Sequence, residues 1–522
     1  MSIAGRVLAR QAKLPPAETR IITVEKNLPI PMPDGVVLLA DHYTPQGIGE
    51  RPTVLVRSVY TDRTKGSFMS RLIAERGFQV LVVSGRGVTG SGGVLDPFAS
   101  EREDGLAVLA WLEKQPWFTG VLGTTGASYL GYTQWAVADA AGPMLGAMST
   151  QLTSSDFRSM IYPGGALSLE IFLGWISMVH NQERPLLPYL SALVRGARRR
   201  AVAARHLPVA EADEVALGAV VPHWREWVAH ERADDPWWAR SDHRAVVAAV
   251  AAPNHLVGGW YDFMLPSLVR DYQALREAGR EPYLTIGPWS HWDTGASLAS
   301  AREGLIWLRA HLLGDRTGFP DAPVRIHLGG ADEWLKLGSY PPPGVSSREL
   351  RLQPGGGLAD GVPPESEPDR FVYDPADPTP DPGRPPRAMG IKRPYGERVL
   401  RDRPDVLTYA SEPLPADLDV IGVPRAVLHV TSEAASGDFY VRVCELAPSG
   451  KVAQVTDGLR RFTPVPARAE VELWPTAYRF RRGHRIRVQI TGGAFPRWDR
   501  NPTPGSRFIH HDSSILFPVL ES

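Results

Sequence analysis

Most of the residues in this chain that could do chemistry lie in two glycine-bearing stretches and two strand-end loops. The first stretch, FQVLVVSGRGVTGSGG at 78–93, sets Gly85, Gly87 and Gly90 as G-x-G-x-x-G behind a β-branched run. That pattern lets a pyrophosphate approach the backbone. The second, GASYLG at 126–131, places Ser128 among Gly126, Ala127 and Gly131. A serine on a tight strand-to-helix turn needs small neighbours, because the backbone there is strained and the hydroxyl must stand clear. Such a turn would expose Ser128 as a nucleophile at a helix N-terminus, where the Tyr129 N–H could donate to an oxyanion. The pattern departs from G-x-S-x-G, since Leu130 stands in the usual glycine place and Gly131 follows it. On its own the hexapeptide is equally compatible with an ordinary turn.

The later loops add the partners such a serine requires. NHLVGGWYDF ends a strand-like run in Gly258-Gly259 and presents Asp262; YLTIGPWSHW ends the next in Gly287-Pro288 and presents His291. Ser128, Asp262 and His291 follow the chain order of an α/β-hydrolase. In that arrangement His291 takes the serine proton during attack on a carbonyl, and Asp262 fixes the imidazole tautomer and stabilises the imidazolium.

The nucleotide reading of the first stretch fails on context. A dinucleotide fingerprint needs its third glycine at the opening of a helix and a terminal acid about 20 residues further on. Here SGGVLDPFAS intervenes before the next helical pattern, and the apolar run TVLV precedes the loop's own strand. No cofactor is expected. His510-His511 has no third ligand nearby, so no metal is expected either.

These residues need a scaffold, and the patterning supplies one. TVLVRSV and FQVLVV read as buried parallel strands, and EREDGLAVLAWLEKQ as an amphipathic helix with an apolar stripe at Leu106, Leu109 and Leu112, with Ala110. Strand–helix alternation over 1–149 resumes over 246–340, giving an α/β core in two parts. Between them, 150–245 reads as an inserted helical cap, in which Arg195, Arg198 and Arg199 share one helix face beside Arg200, either a solvated face or an anion site. YPPPGVSS and YDPADPTPDPGRPP read as Pro-rich connectors. The alternating runs RAVLHVTS, DFYVRVCEL, AEVELW and HRIRVQITG make 341–522 an all-β sandwich of jelly-roll type.

Composition narrows the classes. At 522 residues the chain is too long for one core. Equal numbers of basic and acidic residues, 57 of each, argue against a nucleic-acid partner. No 18-residue apolar stretch occurs, so no membrane partner is expected. The single cysteine, Cys444, excludes an intrachain disulfide, and the protein is expected in the cytoplasm. Nothing in the sequence sets an oligomeric state.

With these residues assembled, the chain resembles the cocaine-esterase-like hydrolases grouped with the X-prolyl dipeptidyl peptidases. The similarity runs from about residue 25 to the C-terminus. It is carried by PMPDGVVLLADHYTP, GASYLG, GGALSLEIFLGW, GGWYD, GPWSHW, TDGLRRF and GHRIRVQITGGAFPRWDRNPTPG. The resemblance implies an α/β-hydrolase core with an inserted helical cap and a C-terminal jelly roll. It also implies that the Tyr60 hydroxyl joins the Tyr129 N–H in the oxyanion hole. The family usually has Asp-x-Arg-Gly where this chain has Ser84-Gly85-Arg86-Gly87, which puts a structural contact of Arg86 in doubt.

The implied function is a serine hydrolase acting on a small-molecule ester or amide. An X-Pro dipeptidyl aminopeptidase or a β-lactam or amide acylase is the alternative, and an acyltransferase using the same serine is a reading of another class. Trp175 and Phe263 could line an acyl pocket. DFMLP offers no second acid beside Asp262, which favours uncharged esters; Asp156 and Glu170 are the acids that could anchor a substrate amine.

Overall fold

Residues 53–58 and 79–84 are buried along their whole length, as strands covered on both faces must be. They lie in the first of two units of a computed structural model that describes residues 3–64, 67–383 and 396–521. The first unit comprises Met1–Met160, Val179–Tyr189 and Pro236–Pro323; the second comprises Ile161–Met178, Leu190–Asp235 and Val324–Ser522.

The sheet of the first unit contains β1 (Ile22–Pro31), β2 (Val37–Pro45), β3 (Thr53–Ser58), β4 (Gln79–Ser84), β5 (Leu122–Ala127), β6 (Leu145–Gln151), β7 (Asn254–Tyr261) and β8 (Tyr283–Ser290). Their order is β1-β2-β4-β3-β5-β6-β7-β8. The β1–β2 and β2–β4 pairs are antiparallel. From β4 through β8 every pair is parallel. Parallel strands end at one edge, so the loops after β3, β5, β7 and β8 emerge on the same side of the sheet.

The helix Glu101–Leu112 corrects the expected stripe. Its buried face is Glu101, Asp104, Gly105, Val108, Leu109 and Leu112, whereas Leu106 and Ala110 are exposed. The true face follows the helical spacing from 101 through 104, 105, 108 and 112. A stripe starting at Leu106 misses it because two of its members are acids.

The second unit is mainly antiparallel β structure, with the expected runs forming Arg425–Ser432, Gly437–Leu446, Arg468–Glu472 and Arg485–Thr491. Strand Gly437–Leu446 alternates in sequence yet is buried on both faces up to Glu445. Its polar residues are paired: Asp438 with Arg461, Arg442 with Glu397 and Gln489, and Glu445 with the Tyr478 hydroxyl. Cys444 is buried within it.

Segments 161–178 and 190–235 of the expected cap fall in this β unit. The reason is local packing. The Leu167 N–H donates to Asp499 Oδ1 at 2.8 Å, and the Asp499 N–H donates to the Leu167 carbonyl at 2.9 Å. The Glu170 N–H donates to the Pro496 carbonyl at 3.1 Å. Gly164 lies against the Leu459 carbonyl, with no room for a Cβ. Thus GGALSLE, TDGLRRF and FPRWDRNP, separate in the chain, meet in one place.

The Pro-rich stretches are not free connectors. The Tyr340 hydroxyl is buried and donates to the Gly422 and Thr476 carbonyls, each at 3.1 Å. The second stretch, at 373–386, is described as far as residue 383; there the Asp381 N–H donates to Phe495 O at 2.8 Å and Thr379 and Asp381 are buried. Residues 384–386 lie outside the described residues.

Candidate active site

Ser128 follows β5 and opens the helix Tyr129–Trp135 with φ 61° and ψ −125°. A non-glycine residue pays for this conformation, and the surroundings must over-determine it. They do. The Ser128 N–H donates to the Gln151 carbonyl at 2.8 Å. The Ser128 carbonyl accepts from the Gly131 N–H at 2.9 Å, the Tyr132 N–H at 3.1 Å and the Thr153 hydroxyl at 2.8 Å.

The small residues of GASYLG have identifiable neighbours. A Cβ on Gly126 would collide with Leu130, and one on Gly131 would sit 2.5 Å from Thr153 Cβ. Leu130 therefore occupies the usual second-glycine position because it packs over Gly126, and the close approach moves to Gly131.

Asp262 follows β7 and His291 follows β8. His291 Nε2 lies 3.0 Å from Ser128 Oγ, and Nδ1 lies 3.0 and 3.1 Å from the two Asp262 oxygens. Asp262 is 1% exposed, and its Oδ1 also accepts the Met264 N–H at 2.8 Å. An ionised carboxylate only accepts, so Nδ1 carries the proton and Nε2 is left to accept from the serine hydroxyl. The arrangement can deprotonate Ser128 without moving any side chain.

The base has supports that the sequence did not announce. The Ser290 N–H donates to Asp293 Oδ2 at 2.7 Å, and the Asp293 N–H returns to the Ser290 carbonyl at 3.2 Å, closing the turn that carries His291. The Trp289 ring lies over Gly287 and Gly295, where a Cβ would stand 2.5 and 2.6 Å from ring atoms. The G-P-W-S-H spacing carries that signal only in retrospect.

Phe263 is half-buried, its ring 4.7 Å from that of His291 and stacked on Trp292 at 5.8 Å. Tyr60 stands edge-on to Tyr129 with ring centroids 6.1 Å apart. Its loop is held by Ser58 Oγ, which accepts the Tyr60 N–H at 3.0 Å and donates to Asp62. The Gln182 amide donates to the Val59 carbonyl at 3.0 Å. The Tyr129 N–H belongs to the first helical residue, whose amide has no intrahelical acceptor. Its phenol instead donates to Glu101 Oε1 at 2.6 Å.

The remaining expected residues have surroundings of their own. Trp175 belongs to the second unit, where its ring is buried 5.9 Å from that of Trp227. Asp156 is buried and engaged: it accepts from the Arg158 N–H and the Ser159 hydroxyl, with Arg270 at 3.7 Å and Arg244 at 3.9 Å. Glu170 lies in the second unit beside Arg200, whose guanidinium is pulled below the ordinary arginine range by burial while the Glu170 charge opposes that shift. Arg195, Arg198 and Arg199 are exposed.

The first glycine loop folds on itself. The Gly87 N–H donates to the Gly92 carbonyl, and the Gly92 N–H to the Val37 carbonyl. With Ser84 in place of the usual aspartate, Arg86 pairs with Asp104 through two nitrogens and with Asp34 at 2.6 Å. The contact in doubt is thus supplied by other acids.

Among the described residues no group of three or more His, Cys, Asp or Glu is placed to hold a metal. His510 bonds Thr431, and His511 bridges Ser366 and Asp369 at 2.7 and 3.0 Å. That chain has triad residue types with the ring nitrogens exchanged. Ser366 sits in an exposed loop between Glu365 and Glu367, whose charges oppose an oxyanion, so the bonds tie the loop to the sheet.

An elbow serine, a base and an orienting acid at the ends of parallel strands define a serine hydrolase of the α/β-hydrolase fold. Residues 34–293 match the X-Pro dipeptidyl-peptidase (S15) family, and residues 317–515 match the X-Pro dipeptidyl-peptidase C-terminal non-catalytic domain. The chain belongs to that family. It is 29% identical to the cocaine esterase of Rhodococcus sp. (strain MB1 Bresler), covering 96% of this chain and 99% of that one. It is similar in fold to an aminopeptidase from a marine sediment Thaumarchaeota archaeon, with TM-score 0.77, 22% identity and coverage of 97% and 98% of the two chains. It is also similar to an α-amino acid ester hydrolase, with TM-score 0.71, 20% identity and the same coverage.

The elbow packing yields a test. Gly131→Ala should lower kcat by about tenfold or more while the protein stays folded, because the new methyl pushes on β-branched Thr153, which holds the Ser128 carbonyl. Steady-state kinetics beside a thermal melt check this; an unchanged kcat would mean that the elbow tolerates the shift.

Proposed function

We propose that this protein hydrolyses carboxylic esters through an acyl-enzyme on Ser128. The observation that carries the reading is the unbroken hydrogen-bond chain from Asp262 through His291 to Ser128 Oγ. Ser128 Oγ attacks the ester carbonyl and passes its proton to His291 Nε2, while Asp262 stabilises the imidazolium. The tetrahedral oxyanion takes hydrogen bonds from the Tyr129 N–H and the Tyr60 hydroxyl. Collapse breaks the ester C–O bond, and His291 returns the proton to the departing alkoxide oxygen. Water then repeats the sequence on the acyl-enzyme and releases the acid.

Preference for esters over X-Pro amides rests on the surroundings of the base. Phe263 and Trp292 border His291 with aromatic surface, which suits an uncharged acyl or aryl group. An aminopeptidase needs a carboxylate for the substrate ammonium. Asp156 already serves Ser159, the Arg158 N–H and two arginines. The same reading places the enzyme in the cytoplasm and takes its β unit as a jelly roll. A buried lone Cys444 is in keeping with a reducing compartment, and the paired antiparallel strands with a sandwich of that type.

Three outcomes follow from this reading. Ser128→Ala should lose about 10⁶ in kcat and no longer take a fluorophosphonate label; labelling of the variant would move the nucleophile elsewhere. Tyr60→Phe should cost about 10²–10³ in kcat with KM little changed, and a change confined to KM would make Tyr60 a pocket wall. For an aryl or short-chain ester, kcat/KM should exceed that for a dipeptidyl-Pro amide by about 100-fold or more. Comparable rates would favour the aminopeptidase.

A further inference from the structure

An oxyanion hole works only if its donors stand about 2.7–3.1 Å from one point. Here the two proposed donors come from different chain segments: Tyr60 from the loop after β3, and Tyr129 from the helix after β5. The β3–β5 ladder pairs Thr53 with Leu122 and continues to Leu55 with Thr124. Beyond those residues the two chain segments run on to Tyr60 and Tyr129.

One buried carboxylate bridges the two segments. Glu101 Oε1 accepts the Tyr129 hydroxyl at 2.6 Å, and Oε2 accepts Arg57 Nη2 at 2.7 Å. Arg57 lies on β3, three residues before Tyr60. Its Nη2 also donates to the Glu101 carbonyl at 2.6 Å, and its Nη1 to the Thr133 carbonyl at 3.4 Å. The Thr133 hydroxyl returns to the Arg57 carbonyl at 3.2 Å. The β3 end and the elbow helix are therefore strapped together through Arg57, Glu101 and Thr133.

The site is built for this pair. The Arg57 and Glu101 side chains are 6% and 11% exposed, and a buried ion pair persists only when its remaining polar atoms are also met. Gly105, one turn after Glu101, lies so close to the Arg57 guanidinium that a Cβ there would overlap it. The Tyr129 phenol also accepts the Phe98 N–H at 3.0 Å, from a residue with φ 67°. Burial first, then the Glu101 charge, raises the Tyr129 phenol well above the ordinary tyrosine range. It therefore remains a donor to Glu101 at any working pH.

We infer that Glu101 is the positioning residue of the oxyanion hole, setting the distance between the Tyr60 and Tyr129 donors from behind while touching no substrate. This rests on the reading that Tyr60 and Tyr129 bind the oxyanion. A residue that only stabilised the fold would shift the melting temperature and leave kcat alone. A residue that sets donor spacing must act through Tyr60.

The test is a double-mutant cycle on the full chain with an aryl ester. Tyr129→Phe keeps the backbone N–H and the ring and removes the phenol's bonds to Glu101 and to the Phe98 N–H. It should lower kcat about tenfold with KM within about threefold. In a Tyr60→Phe background the same change should cost no more than about twofold, because the donor whose place it sets is gone. Glu101→Gln, which keeps an acceptor for Tyr129 but loses the ion pair, should fall between wild type and Tyr129→Phe, and it reads the same coupling should Tyr129→Phe fold poorly. Losses that multiply in full across the cycle, or a lower melting temperature with unchanged kcat, would overturn the inference and leave the oxyanion assignment standing. An unaffected kcat in Tyr60→Phe alone would instead overturn that assignment, and the inference with it.

Discussion

A serine with φ 61° is the constraint around which the first unit is organised. An L-residue does not rest in that conformation, so every neighbour of Ser128 either binds its backbone or keeps clear of it. β6 supplies an acceptor for its N–H, Thr153 a donor to its carbonyl, and glycines the room. The gain is directional. The hydroxyl leaves the strand end towards His291 rather than along the helix. The position of His291 follows from the same edge, since β7 and β8 run parallel to β5 through β6 and end on its side.

How much of this could be read from the sequence depended on whether the controlling contacts were local. Ser128, Asp262 and His291 were legible because each sits one loop beyond a strand-like apolar run, and because their order matches a single sheet topology. Their spacing in the fold needs only that the strands be parallel. Glu101 was not legible. It reads as an acid in the first turn of an amphipathic helix, where a charge is favourable for reasons of helix dipole alone. What buries it is Arg57, 44 residues upstream, and Tyr129, 28 residues downstream, and no local pattern encodes either partner. Asp293 escaped for the opposite reason: its contact is so local that it looks like any helix-opening aspartate.

The β unit illustrates a related limit. Alternation in DFYVRVCEL implies one wet face, but the strand is covered on both sides. Its polar residues are neutralised by partners from other strands and loops, including Arg461, Glu397 and Tyr478. Alternation therefore distinguishes polar from apolar sides of a strand without saying that the polar side meets water. Pro-rich stretches mislead in the same way. Proline sets the backbone course of 373–383, and side chains such as Thr379 and Asp381 then bury it.

The order of segments in the second unit has a consequence for anyone dividing the protein. Residues 161–178 and 190–235 precede the last strand of the α/β sheet in the chain, yet they pack with residues 324–522. Leu167 is held by Asp499, Glu170 by Pro496, and Gly164 is pressed on Leu459. No single cut yields two self-contained fragments. A chain stopped near residue 323 would keep the whole triad but carry two stretches stripped of the surface they fold against. Those stretches would lose the apolar surface of Tyr440, Leu459 and Trp498 against which Ala166 packs, and such a fragment is headed for aggregation rather than for a minimal enzyme.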